Sequence, residues 1–242
     1  MTIPPYLKKG DTIAIVATAK KILQADVFPA VKMIESWGLK VVLGKNIFAE
    51  FHQFAGTDEQ RLQDFQEMLD NPEVKAIICA RGGYGTNRII DEIDFSIFGK
   101  NPKWIAGYSD VTVLHNHIQK VFGVATIHAT MPINFPKDLE PIDATETFRK
   151  ALFGTDYSIH AKPHSLNKKG KARGILTGGN LSIIYSLTGT PSQIETEGKI
   201  LVLEDLDEYL YHIDRMMVNL KRSGLLKGLA GLVVGGMTDM KD

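Results

Sequence analysis

The sequence predicts an α/β protein built around a mostly parallel sheet, and three observations predict it. Short apolar runs alternate with helical patterns through the first 130 residues. The joining loops are short, as in sheets covered by helices on both faces. Pro132, Pro136, Pro141 and Pro163 then break the rhythm, and strand and helix patterns resume after Gly178.

Thr12 to Val16 is a continuous apolar run of buried-strand type, ending in Ala17, Thr18 and Ala19. Val27, Val31, Ile34 and Trp37 recur at helical spacing, and Gly38 supplies the stop. Leu39 to Leu43 is the second strand. Thr57 and Gln60 form a capping box ahead of Leu62, Phe65 and Leu69, and Asn71-Pro72 ends that helix. Ala76 to Cys79 is a third strand, and Ile89, Ile90 and Ile93 predict a helix. Trp104 to Ala106 is a fourth strand. Leu114, Ile118 and Val121 mark a helix ahead of Gly123, and Ala125 to Ile127 is a fifth strand. Residues 136–173 read as a crossing segment with one short helix near Thr145 to Phe153. The division is therefore 1–135, 136–173 and 174–242. The last part has a helix after Gly178-Gly179-Asn180, a strand at Ile200 to Leu203, a helix near Tyr211 to Ser223 and a strand at Leu232 to Val234. Its topology is not readable from pattern.

Composition narrows the function. The 242 residues are 44% hydrophobic and 23% charged, the balance of a globular protein. Twenty-eight basic and 28 acidic residues cancel. No overall field draws the chain to nucleic acid or anionic lipid, and neither is expected as a partner. Cys79 is the only cysteine, which excludes an internal disulfide and fits a reducing compartment. The amino terminus lacks an apolar signal core, and no run approaches the ~20 apolar residues of a membrane span. A cytoplasmic location is expected.

Ligands of open parallel sheets bind beyond the carboxyl ends of the strands. There, Ser109 stands between the fourth strand and a helix, the arrangement of a nucleophile elbow. The Asp110 N–H at the helix start is a candidate oxyanion donor. Helix capping by Ser109 is the competing reading, slightly ahead on the tetrapeptide alone. Arg81-Gly82-Gly83-Tyr84-Gly85 follows the third strand, fits neither phosphate-loop spacing, and offers a second oxyanion donor or a plain glycine turn. Glu204 closes the apolar run from Ile200, with Asp205, Asp207 and Glu208 behind it. His128 is the one histidine placed at the same edge. No pair of histidines has helical zinc spacing, so neither metal nor cofactor is expected.

Taken in order, several segments resemble the LD-carboxypeptidases, the serine peptidase family that also holds the microcin C immunity peptidase. They are Gly10 to Ala14, Arg81 to Gly85, Gly107 to Asp110 with Thr112, Gly178 to Leu181, Leu203 to Asp205, and Asp214-Arg215. The resemblance implies a flavodoxin-like amino-terminal domain, a smaller β-rich carboxyl-terminal domain, and a site between them. It makes Ser109 the nucleophile and Glu204 the acid of a Ser–Glu–His triad. Asp110 and one of Gly82 or Gly83 become oxyanion donors, and Arg81, Tyr84 and Asn180 line the substrate pocket. The substrate implied is a murein tetrapeptide losing its terminal D-alanine. Two alternatives are a microcin-like acyl adenylate and a non-catalytic murein-peptide binder. The stretch from Phe153 to Gly178 is short and lacks Trp, which favours the murein branch. The family's histidine lies in a Gly-His segment past the position of Asp242, so a truncated carboxyl-terminal domain is expected. Oligomeric state stays open, a homodimer among the alternatives.

Overall fold

The computed structural model describes all 242 residues. The first sheet is assembled from β1 (Thr12–Val16), β2 (Lys40–Leu43), β3 (Val74–Cys79), β4 (Trp104–Gly107) and β5 (Ile127–His128), all parallel, in the order β2-β1-β3-β4-β5. That is the flavodoxin-like order. Parallel neighbours need crossovers, and α1 (Gln24–Ser36), α2 (Asp58–Asp70), α3 (Ser96–Lys100) and α4 (Thr112–Phe122) provide them.

β1 and β3 are apolar on both sides because helices cover both faces. Ala14, Val16, Ile77 and Cys79 enter one buried cluster with α2 and α4. Ile13, Ile15, Ala76 and Ile78 enter the other with α1 and α5 (Asp143–Phe153). Thr57 caps α2 as expected, its hydroxyl accepting from Gln60 N–H while the Gln60 side chain accepts from Thr57 N–H.

One predicted helix does not form. Residues 86–92 make two 3₁₀ turns, and the helix starts only at Ser96. The Gln66 side chain on α2 bonds the backbone N–H and carbonyl of Asp94, and the Asp94 carboxylate accepts from Ser96 N–H. These bonds hold the segment in turns, while Ile89, Ile90 and Ile93 are buried all the same.

The second sheet has β6 (Leu176–Asn180), β7 (Ile200–Leu206) and β8 (Gly231–Thr238), parallel and in that order. Its cover is α6 (Leu181–Ser186) and α7 (Leu210–Arg222), whose Leu181, Ile184, Met216 and Leu220 meet Leu201 and Leu203 in a small core. The seam between the sheets runs from α4 to β6. Thr112 Oγ1 accepts Asn180 N–H at 3.1 Å, and a Cβ on Gly179 would lie 2.7 Å from that same oxygen. A Cβ on Gly178 would reach 2.0 Å from Val202 O. Only glycine fits at 179, against α4 across the seam, and at 178, against the paired strand β7. No helix is long and apolar enough to cross a membrane.

Candidate active site

β4 ends in a turn, and Ser109 there adopts φ +62°. Left-handed backbone at a non-glycine residue costs on the order of 1–3 kcal/mol, so the surrounding fold enforces it. The segments that do so are close. A Cβ on Gly82 would sit 2.8 Å from both Cβ and Oγ of Ser109 and 3.4 Å from Asp110 N. Ser109 does not cap a helix: α4 has no side-chain cap at its start, and Ser109 Oγ bonds to nothing in the chain. The capping reading is thereby removed. The hydroxyl is free on a strained turn.

Donors surround it. Gly82 and Gly83 donate their N–H groups to no atom of the chain. Asp110 N–H precedes the first intrahelical bond of its turn. Gly82 is buried and abuts Ser109, while Gly83 is exposed and abuts Lys20. Arg81 donates to Lys21 O at 3.0 Å, and exposed Tyr84 packs its ring 5.9 Å from Phe54.

Glu204 and Asp205 are neighbours with different surroundings. Asp205 is buried and accepts from Asn180 Nδ2, Ser182 N–H and Leu206 N–H, each at 2.9 Å. It ties β7 to the start of α6. Glu204 pairs in register with Asn180, and its Oε1 is buried with no partner. Burial, with the Asp205 charge beside it, pushes the Glu204 carboxyl up to about 7. A register irregularity between Leu203 and Asp205 re-aims this stretch, and the strand continues to Leu206, past the end expected from the apolar run.

Asn180, expected to line the pocket, also has a structural place at the start of α6. It is 4% exposed and caps α6, its Oδ1 accepting from Ile183 N–H at 3.2 Å and from Ser182 Oγ at 2.7 Å. Its Nδ2 donates to the Asp205 carboxylate and its Oδ1 accepts from α6, so it ties the acidic strand end to that helix. Local pattern hid this, because an N-cap Asn and a ligand-binding Asn look alike in sequence.

No histidine hydrogen-bonds to Ser109. His115 is buried against Gly107 O at 2.9 Å, and burial lowers it to about 4. His117 meets Ser192, and His212 meets Glu208. His128 lies level with Gly107 in the sheet, but its ring stands beside Tyr108 and His115, 6.1 Å from each, and bonds to neither. Next to Tyr108 a cavity of about 360 Å³ opens, lined by His128, Asn134, Thr147, Phe148 and Tyr157 among others, with no Asp, Glu, Lys or Arg. No group of His, Cys, Asp and Glu is arranged to hold a metal.

The strained serine at a strand–helix turn, and the ordered segments around it, agree with two family profiles. The LD-carboxypeptidase N-terminal domain matches residues 13–129, and the LD-carboxypeptidase C-terminal domain matches residues 173–242. The chain belongs to the LD-carboxypeptidase family. It is 42% identical to the probable murein peptide carboxypeptidase of Bacillus subtilis, over 96% of this chain and 73% of that one. The crystal structure of muramoyltetrapeptide carboxypeptidase from Oxalobacter formigenes superposes with a TM-score of 0.82 at 29% identity, covering 96% of this chain and 78% of that one. A structure of the microcin C7 self-immunity protein with glutamyl sulfamoyl guanosine reaches a TM-score of 0.84 at 24% identity, covering 98% and 81%, and shares the fold. As a member of this family the chain is a serine-peptidase-type hydrolase.

Proposed function

We propose that the protein hydrolyses the L,D-amide bond of a murein tetrapeptide and releases terminal D-alanine, with Ser109 as nucleophile. The observation that carries this reading is the left-handed Ser109, its hydroxyl unbonded, set within van der Waals distance of a glycine loop with free N–H groups. Ser109 Oγ attacks the scissile carbonyl, and the developing oxyanion takes hydrogen bonds from Asp110 N–H and from Gly82 or Gly83. The proton passes to the triad histidine that the family resemblance implies, whose second nitrogen would donate to Glu204 Oε1, a buried oxygen with no partner among the residues of this structure. That imidazole then protonates the leaving amine of D-alanine, and water hydrolyses the ester at Ser109. Arg81 and Tyr84 flank the entrance and contact substrate.

The functional units in this reading are 1–135, bearing the nucleophile, 136–173, a crossing segment, and 174–242, bearing the acid. The profile matches, which stop at 129 and resume at 173, support that division. A cytoplasmic place suits an enzyme of imported wall fragments and a chain with one buried cysteine. The test is D-alanine release from a synthetic murein tetrapeptide by wild type and by Ser109→Ala. Loss of a triad nucleophile lowers the rate by roughly 10⁴ to 10⁶. Turnover by the variant within tenfold of wild type contradicts the assignment.

A further inference from the structure

Beneath the two segments that offer oxyanion donors runs a buried polar chain that the reaction does not use. Asp110 is fully buried. Its Oδ2 accepts Thr86 N–H at 2.8 Å, and its Oδ1 has no partner. Thr86, also fully buried, directly follows the Arg81–Gly85 loop, and its hydroxyl lies 2.9 Å from that of Thr18, beyond the end of β1. Thr18 O accepts Arg61 Nε at 3.0 Å. Arg61, 1% exposed, also donates to Gly56 O at 2.9 Å and pairs with Asp58. The carboxyl ends of β1, β3 and β4 are therefore joined by polar bonds just under their loops. Burying such groups is costly, and apolar packing of equal volume commonly stabilises as well or better. The bonds are directional, though, and direction is what an oxyanion site needs.

We propose that the Asp110 carboxyl group is a positioning residue, holding the Arg81–Gly85 loop against the Ser109 elbow through Thr86 N–H. The proposal rests on the serine peptidase reading above. One residue then couples both halves of the oxyanion site: its backbone N–H is one donor, and its side chain sets the height of the loop that carries the other. The tolerance is small, because Gly82 already lies where a single added carbon would meet Ser109 Oγ at 2.8 Å. A displacement of ~1 Å in such a site costs on the order of 10²-fold in rate. Arg61 is the far anchor, fixing Thr18 so that Thr86 has a rigid neighbour.

The test compares Asp110→Asn with Asp110→Ala in the full chain. Asparagine keeps an oxygen that accepts Thr86 N–H, and alanine does not. In D110A, kcat falls by about 10²-fold with KM within threefold of wild type. D110N recovers kcat to within about tenfold of wild type. Hydrogen exchange separates positioning from general loosening: the Thr86 amide loses protection in D110A and keeps it in D110N, while Ile77 and Ile105 amides stay protected in both. A D110A kcat within threefold of wild type overturns the proposal, as does a protected Thr86 amide in that variant. D110L, close to Asp in shape and without an acceptor, carries the same comparison should D110A fail to fold. If wild type releases no D-alanine, the functional reading fails on its own, and Thr86 protection still decides the positioning role.

Discussion

The two parallel sheets of this protein are covered to different depths, and the proposed nucleophile and acid sit one on each. The five-stranded sheet lies between two buried clusters of 21 and 20 residues. The three-stranded sheet has one cluster of 8, and Leu232, Val233 and Val234 on its edge strand are 48–57% exposed. Strain at Ser109 is affordable because a large core holds β4 and α4 in place. Glu204 stands on the central strand of the smaller sheet, next to Leu201 and Leu203 of its core. Its position also depends on a few polar bonds among Asn180, Ser182 and Asp205, and on a glycine seam against Thr112. The proposed nucleophile is thus held chiefly by packing, and the proposed acid by packing together with directional bonds.

The comparison is broken most severely at Glu204. Glu204→Gln keeps shape but removes the charge that would stabilise an imidazolium, and kcat falls by on the order of 10³ or more. Stability should move the other way. The folded carboxyl is raised to about 7 from an ordinary 4.5, so the folded state holds a proton that the unfolded state has lost between those values. Wild-type stability therefore falls as pH rises from about 4.5 to 7. E204Q escapes that loss, and melts higher than wild type at pH 8 and equally at pH 4. Discounted for partial exposure, the difference is on the order of 1 kcal/mol. A variant that is less stable at pH 8 would make Glu204 a structural residue.

Asp205→Asn sharpens the contrast between neighbours. Three donors converge on this carboxylate, and the amide can satisfy only part of them, so denaturant unfolding should show a loss of about 1–3 kcal/mol. Its effect on kcat should be smaller than that of E204Q. The reverse ranking would move the acid to Asp205. The smallest effect is expected at His128, which bonds to nothing and stands 6.1 Å from the Tyr108 ring, centroid to centroid. His128→Ala should leave D-alanine release within threefold of wild type. A drop of 10²-fold or more would install His128 as the base.

Much of the first sheet was legible because periodicity and caps agree there. β1, β3 and β4 are plain apolar runs, and Thr57 with Gln60 announces α2. β6 was missed, because Gly178 and Gly179 carry no side chains to show a period of two. Gln66 reaching Asp94 turned a helical isoleucine pattern into 3₁₀ turns, a tertiary bond that no local window contains. At the site, Ser109 and the glycine loop stood out by their strand–loop contexts, yet the left-handed φ of Ser109 is invisible in a one-letter code. Arg61 reads as an ordinary polar residue of an amphipathic helix, and only the fold shows it buried beneath the elbow.

The central claim is that the strained elbow presents Ser109 as the nucleophile. The direct measurement is tandem mass spectrometry of the protein after reaction with a phosphonate probe for activated serines, with and without murein tetrapeptide as competitor. A single adduct on Ser109, suppressed by the tetrapeptide, is the result predicted. An adduct on another serine, or none on Ser109, would contradict it.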